Sequence, residues 1–273
     1  MKFTSLLVAA AAGSLAAPAM AQDRDTAEDF NGPYIGVVGG YTVQPNDGHE
    51  TLTFDTDLDG TFGDPVNTAG GTNAFSPGFC GGGATGTANR DCTSDKDGAE
   101  YMARLGYDKR MGNFVVGAVL EGGRSEARDS VSGFSTTPAS YTISREADWQ
   151  AGARLRAGYT PGGGVLFYAT GGGAFAKMDN RFATTNSANS FSDNGKTNAW
   201  GYSAGGGAEA MLTKNVSLGL EYLYTDLKDD DYTVAVGQGT APDTNPFGEG
   251  TDIKRSDPHF RTHSVRASVN FRF

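Results

Sequence analysis

Asp55-Thr-Asp57-Leu-Asp59-Gly60 sets three carboxylates at alternate positions ahead of a glycine. That is how a calcium loop opens: alternate acids converge on one ion and the glycine permits a tight turn. The twelfth position is Val66 rather than a bidentate glutamate, and Asp64 substitutes for it only in a different geometry. Asp55, Asp57 and Asp59 are therefore candidate ligands for Ca²⁺, or for a divalent ion that bridges to an anionic partner. A solvated acidic turn is the plainer reading and has the stronger case, because the closing ligand is missing. No other cofactor is expected.

Cys80 and Cys92 bracket a Gly- and Thr-rich stretch. With no CxxC spacing and no adjacent histidine, they point to one local disulfide rather than a metal or redox site. Closing so short a loop contributes about 3 kcal/mol on chain-entropy grounds.

Catalysis finds little support. The histidines are His49, His259 and His263. His263 and Ser264 are neighbours in an alternating segment, so they face opposite ways and cannot form a nucleophile–base pair. His259 lies near Asp257 but lacks a nucleophile. The protein is not expected to be an enzyme, and a lipid hydrolase is the weakest of the readings considered. The glycine runs 171–173 and 205–207 sit in strand-like segments with no helix after them, so they do not cradle phosphate.

A larger constellation is ionic. Arg104, Arg154, Arg156, Arg266 and Arg272 recur among Glu100, Glu121, Glu146, Asp148, Glu209 and Glu221. If they share one enclosed face, they form either a narrow ion path or a cross-linked polar filling. If that face lines a narrow barrel, the second reading is favoured, because side chains fill so small an interior.

The elements that would carry these groups repeat with period two in segments of about ten residues. In 146–159, Ala147, Trp149, Ala151, Ala153, Leu155, Ala157 and Tyr159 oppose Glu146, Asp148, Gln150, Gly152, Arg154 and Arg156. Similar splits run through 33–43, 99–108, 113–123, 199–212, 216–225 and 264–273, while 165–176 is β-like but ambiguous in facing. The polar faces interleave glycine with ionised groups of both signs, and the apolar faces end in aromatics. Apolar-out and polar-in is the membrane arrangement. The fold class expected is all-β: an eight-stranded antiparallel transmembrane up-and-down barrel with long extracellular loops. Glycine supplies 40 of the 273 residues without a collagen period, and a narrow lumen accounts for part of that excess.

Residues 1–21 read as a signal peptide, with Lys2, an apolar stretch and Ala19-Met20-Ala21, which leaves 22–273 as one barrel domain. Tight turns at 109–112, 160–164 and 213–215 alternate with long connections at 44–98, 127–145, 178–197 and 227–258. That alternation predicts an outer-membrane location with periplasmic termini and extracellular long loops. Residues 44–98 hold nine acids and two bases, and 227–258 hold seven acids and three bases. These two segments carry the whole acidic excess, which argues against nucleic-acid binding.

The opening FNGPYIGVVGGY (30–41), YATGGGAFA (168–176), LEYLYTDL (220–227) and the ending HSVRASVNFRF (263–273) resemble the Omp25/31-like outer membrane β-barrel family. The resemblance implies an eight-stranded Gram-negative outer-membrane barrel, often called a porin, with no single shared activity. It also implies that Phe273 serves as the C-terminal signal read by the barrel-assembly machinery. The expected function is structural and surface-presenting, with acidic loops meeting divalent cations or an unidentified extracellular ligand, and with outer membrane lipids and lipopolysaccharide as partners. A small-solute channel is the alternative.

Overall fold

The computed structural model describes residues 29–45, 48–81, 92–248 and 250–273. The expected signal peptide lies outside them. In chain order the strands are β1 (Gly32–Val43), β2 (Leu52–Asp55), β3 (Gly78–Gly81), β4 (Gly98–Met111), β5 (Phe114–Ser125), β6 (Arg128–Ser135) and β7 (Ala139–Tyr159). They continue as β8 (Val165–Thr184), β9 (Ser190–Asp193), β10 (Lys196–Met211), β11 (Val216–Lys228), β12 (Val234–Gly237), β13 (Gly250–Arg255) and β14 (His259–Arg272). No helix occurs among the described residues.

Eight of these strands close a ring, each antiparallel to its neighbours, in the order β1, β4, β5, β7, β8, β10, β11, β14. β14 returns to β1, pairing Val269 with Val37. Closure leaves no sheet edge facing lipid. Met111 pairs with Phe114 across a two-residue turn, where Gly112 takes a φ of 65°. That left-handed conformation suits the primed hairpin turns and favours glycine.

Chain alternation decides what each wall presents. Ile35, Val37, Leu105, Leu120, Leu155, Leu220 and Val265 are exposed on the outside. Arg104, Glu121, Arg154, Glu221 and Arg266 are buried within. The ambiguous strand β8 turns Leu166, Tyr168 and Ala176 inward and leaves Phe167 outside.

One strand breaks its own pattern. The β7–β8 register slips between Ala147 and Trp149, so Asp148 is an extra residue. Ala147 faces inward and Trp149 outward, although both belong to one face in an unbroken strand.

The long connections are folded. β7 and β8 run on together as far as Tyr141 and Thr184. β6 pairs with that outer part of β7, and β3 with β6. A second sheet, β2-β13-β12-β9, draws a strand from three different connections. Between the layers lies an apolar core containing Phe54, Phe75, Tyr141, Ile143, Val234, Phe247 and Ile253. Phe54 and Phe75 have ring centroids 4.5 Å apart, and Tyr141 and Phe247 meet edge-on at 5.7 Å. The Cys80–Cys92 disulfide is formed, with Cα atoms 6.3 Å apart, and ties the segment after it to β3.

Candidate functional site

The lumen is built in layers. At the end nearest the termini, Phe30 is fully buried and has a φ of 58°, a left-handed backbone uncommon for a bulky residue. The Arg272 guanidinium stands 5.1 Å from its ring centroid and 4.5 Å from that of Tyr34. Arg156 lies 5.0 Å from the rings of both Tyr34 and Tyr168. Asp108 pairs with Arg156, and with Arg272 at 2.8 Å. Glu209 accepts from Arg156 at 2.8 Å, from Arg272 at 2.7 Å and from the Ser217 hydroxyl at 2.6 Å. Glycine makes the crowding possible: a side chain at Gly106 would overlap the Tyr34 ring, and one at Gly117 the Asp108 carboxylate.

Mid-barrel, two carboxylates hold three arginines. Glu121 pairs with Arg104, with Arg154 at 2.9 Å and with Arg266 at 2.7 Å. Glu221 receives the same three guanidinium groups at 3.2 Å each, and the Tyr168 hydroxyl donates to its other oxygen at 3.0 Å. Arg266 also meets Glu100 at 2.8 Å. Five acids thus oppose five arginines, all buried. The cavity left among Glu100, Glu121, Arg154, Ser203 and Arg266 measures about 30 Å³, room for one or two waters.

Above the charges, Ala147, Met178, Leu227 and Phe260 close an apolar layer. A second ion cluster follows. Arg255 pairs with Glu50 at 2.6 Å and with Asp129 at 2.7 Å. Arg145 pairs with Asp129 at 2.8 Å and donates to the His259 carbonyl at 2.6 Å. This cluster joins the first long connection, β6, β7 and β13, and fastens the cap to the barrel.

Two expected members of the lumen network are corrected. Glu146 and Asp148 stand on the outer wall: Glu146 pairs with Arg128 at 2.9 Å, and Asp148 with Lys196 at 2.9 Å and Arg124 at 3.6 Å. The β7 bulge is the cause, because it reverses the facing of every residue before it. Asp108 and Arg145 take part where the sequence reading had not placed them. Asp108 was legible, since it follows Glu100 and Arg104 on one face of β4, whereas Arg145 needed the bulge.

In the acidic turn, ligand oxygens of Asp55, Asp57 and Asp64 lie within 4.8 Å of one another. Asp59 turns away and accepts from the Thr61 amide at 2.7 Å, so Asp64 stands where Asp59 was expected. The Asp59 amide lowers the Asp57 pKa, but desolvation and the Asp59 and Asp64 carboxylates outweigh it and raise the group above its ordinary value. Ser264 faces inward, donating to Glu100 at 3.4 Å, while the His263 ring meets the Tyr222 hydroxyl outside at 2.6 Å. Phe273 is exposed at the barrel's end, its amide donating to the Pro33 carbonyl at 3.1 Å.

A closed apolar-out ring of this kind matches the outer membrane protein beta-barrel domain over residues 7–273. The chain belongs to that family. It is 32% identical over 191 residues to the 22 kDa outer membrane protein of Rhizobium leguminosarum bv. viciae, covering 69% of this chain and 76% of that one. It is 27% identical to the 31 kDa outer-membrane immunogenic protein of Brucella melitensis biotype 1, covering 98% and 99% of the two chains. The crystal structure of OprG from Pseudomonas aeruginosa superposes with a TM-score of 0.50 at 13% identity, covering 90% of this chain and 98% of that one. These relatives establish an outer membrane β-barrel protein; the last establishes fold alone.

The cap cluster carries a pH dependence. The Asp95 carboxylate accepts from the Ser130 amide at 2.8 Å, and burial together with the Asp129 carboxylate pushes its pKa up to about 7. An acid with a raised folded-state pKa stabilises less as pH rises. The loss begins near the unfolded value of about 4 and is complete above the folded value. Asp95→Asn should therefore raise the cap's resistance to proteolysis at pH 8, with the gain shrinking as pH falls toward 5. A limited-proteolysis series over that range checks it.

Proposed function

We propose that this protein is a plugged outer membrane barrel that holds a folded acidic cap at the cell surface and does not conduct solutes. In this reading the termini are periplasmic and the cap extracellular. The β14 end presents Phe273 to the barrel-assembly machinery, and the outer wall meets membrane lipids and lipopolysaccharide. The observation that carries the reading is the filled lumen: aromatic, ionic, apolar and ionic layers follow one another, with about 30 Å³ left between the mid-barrel charges. A channel needs a continuous wet path, and paired charges with room for only one or two waters do not provide one. Purified protein in planar bilayers should give no reproducible conductance steps. Regular, sizeable steps would overturn the reading in favour of a channel.

The cap's acidity supports a second element of the function, weak binding of Ca²⁺ through Asp55, Asp57 and Asp64. Their convergence within 4.8 Å favours it. Calorimetry should register calcium heat that Asp64→Ala abolishes and Asp59→Ala leaves in place. Absence of heat in the unaltered protein would sink this element alone.

A further inference from the structure

The chain carries a net charge of −10, yet one sector of its outer wall is rich in cations. Arg124, Lys177, Arg181 and Lys196 are exposed there, with Arg128 beside them. The register sets Arg128, Glu146, Asp179 and Lys196 in one row across β6, β7, β8 and β10. Three strand spacings make that row about 14 Å long. Glu146, Asp148 and Asp179 stand between the cations and pair with them. Exposed pairs of this kind contribute at most about 1 kcal/mol each, so stability does not explain their gathering at one level.

Directly beneath lies an aromatic shelf. Trp149 and Phe175 have ring centroids 6.1 Å apart, and Phe175 and Trp200 4.6 Å. Trp149 reaches the shelf by the regular alternation of β7, in phase with Leu155 and Tyr159, and the bulge turns Asp148 outward beside it. Lower still the same strands carry small residues, and a shallow groove of about 430 Å³ runs over Val116, Leu155, Ala157 and Ala169. Cations, then flat rings, then a shallow apolar groove form the outline of an acylated, phosphorylated sugar.

We propose that this sector binds a diphosphorylated, multiply acylated disaccharide of the outer leaflet, the lipid A portion of lipopolysaccharide. Its phosphates lie against Arg128 at one end of the row and Lys196 at the other, with Arg124, Lys177 and Arg181 beside them, its sugar faces on Trp149, Phe175 and Trp200, and its chains along the groove. A disaccharide with a phosphate at each end matches the 14 Å row, whereas a glycerophospholipid offers one phosphate. The proposal deepens the outer-surface reading above and rests on the long connections facing outward. Binding in micelles is independent of insertion direction, so a failure in the test is a failure of the site and not of the orientation.

The protein's two tryptophans are both in the shelf, so intrinsic fluorescence reports on this site. Refolded full-length protein in neutral detergent is titrated with diphosphorylated lipid A, with the same lipid dephosphorylated, and with phosphatidylglycerol. The expected result is saturable change with the first, and at least about tenfold weaker response with the other two. Combined Lys177→Gln, Arg181→Gln and Lys196→Gln should weaken lipid A binding similarly, while Lys228→Gln with Arg261→Gln on another sector should not. Equal response to dephosphorylated lipid or phosphatidylglycerol would overturn the proposal, as would unaltered binding by the triple variant.

Discussion

Five guanidinium groups held against five carboxylates inside a closed wall are the interaction on which this molecule depends. A narrow barrel in lipid turns its apolar side chains outward, so the interior must hold polar groups that satisfy one another. Glu121 and Glu221 each serve three arginines, and Asp108 and Glu209 each serve two. Because the residues come from β4, β5, β7, β10, β11 and β14, the network ties opposite walls together. Glycines at the tightest points exist to make room for it. Removal of one partner leaves a buried charge uncompensated, which costs far more than loss of a surface pair.

The same logic explains why the long connections are structured. Met178, Leu227 and Phe260 separate the mid-barrel charges from the outer ion cluster. That cluster then anchors an apolar core built from segments distant in sequence. β2 pairs with β13, and β12 with β9, so three connections fold as one body. The barrel end opposite the termini is thereby covered by structure. The acids that give the chain its charge sit largely on this body.

Much of the barrel was legible because a strand with one lipid face and one lumen face alternates strictly. Ile35 and Val37, or Leu218 and Leu220, announce their side by chemistry alone. β7 was not fully legible: Ala147 and Trp149 look like one continuous apolar face, and nothing in Arg145–Gln150 marks the extra residue. The facing of Glu146 and Asp148 therefore reversed. The cap was illegible for a different reason. Phe54, Phe75 and Ile253 are scattered through Gly-, Thr- and Asp-rich stretches, and their strands are short and paired non-locally, so no local period reveals them. In the acidic turn, Asp64 rather than Asp59 converges with Asp55 and Asp57, a contact across the turn that the alternate spacing does not announce.

The claim that the lumen charges hold the barrel together is tested most directly by comparing Glu221→Gln with Glu146→Gln in urea unfolding of the refolded protein. Glu221 is buried and shared by three arginines, whereas Glu146 is a partly exposed partner of Arg128 and Arg181. The account expects Glu221→Gln to lower stability by about 3–5 kcal/mol and Glu146→Gln by under about 1 kcal/mol. Equal and small shifts for the two variants would contradict it.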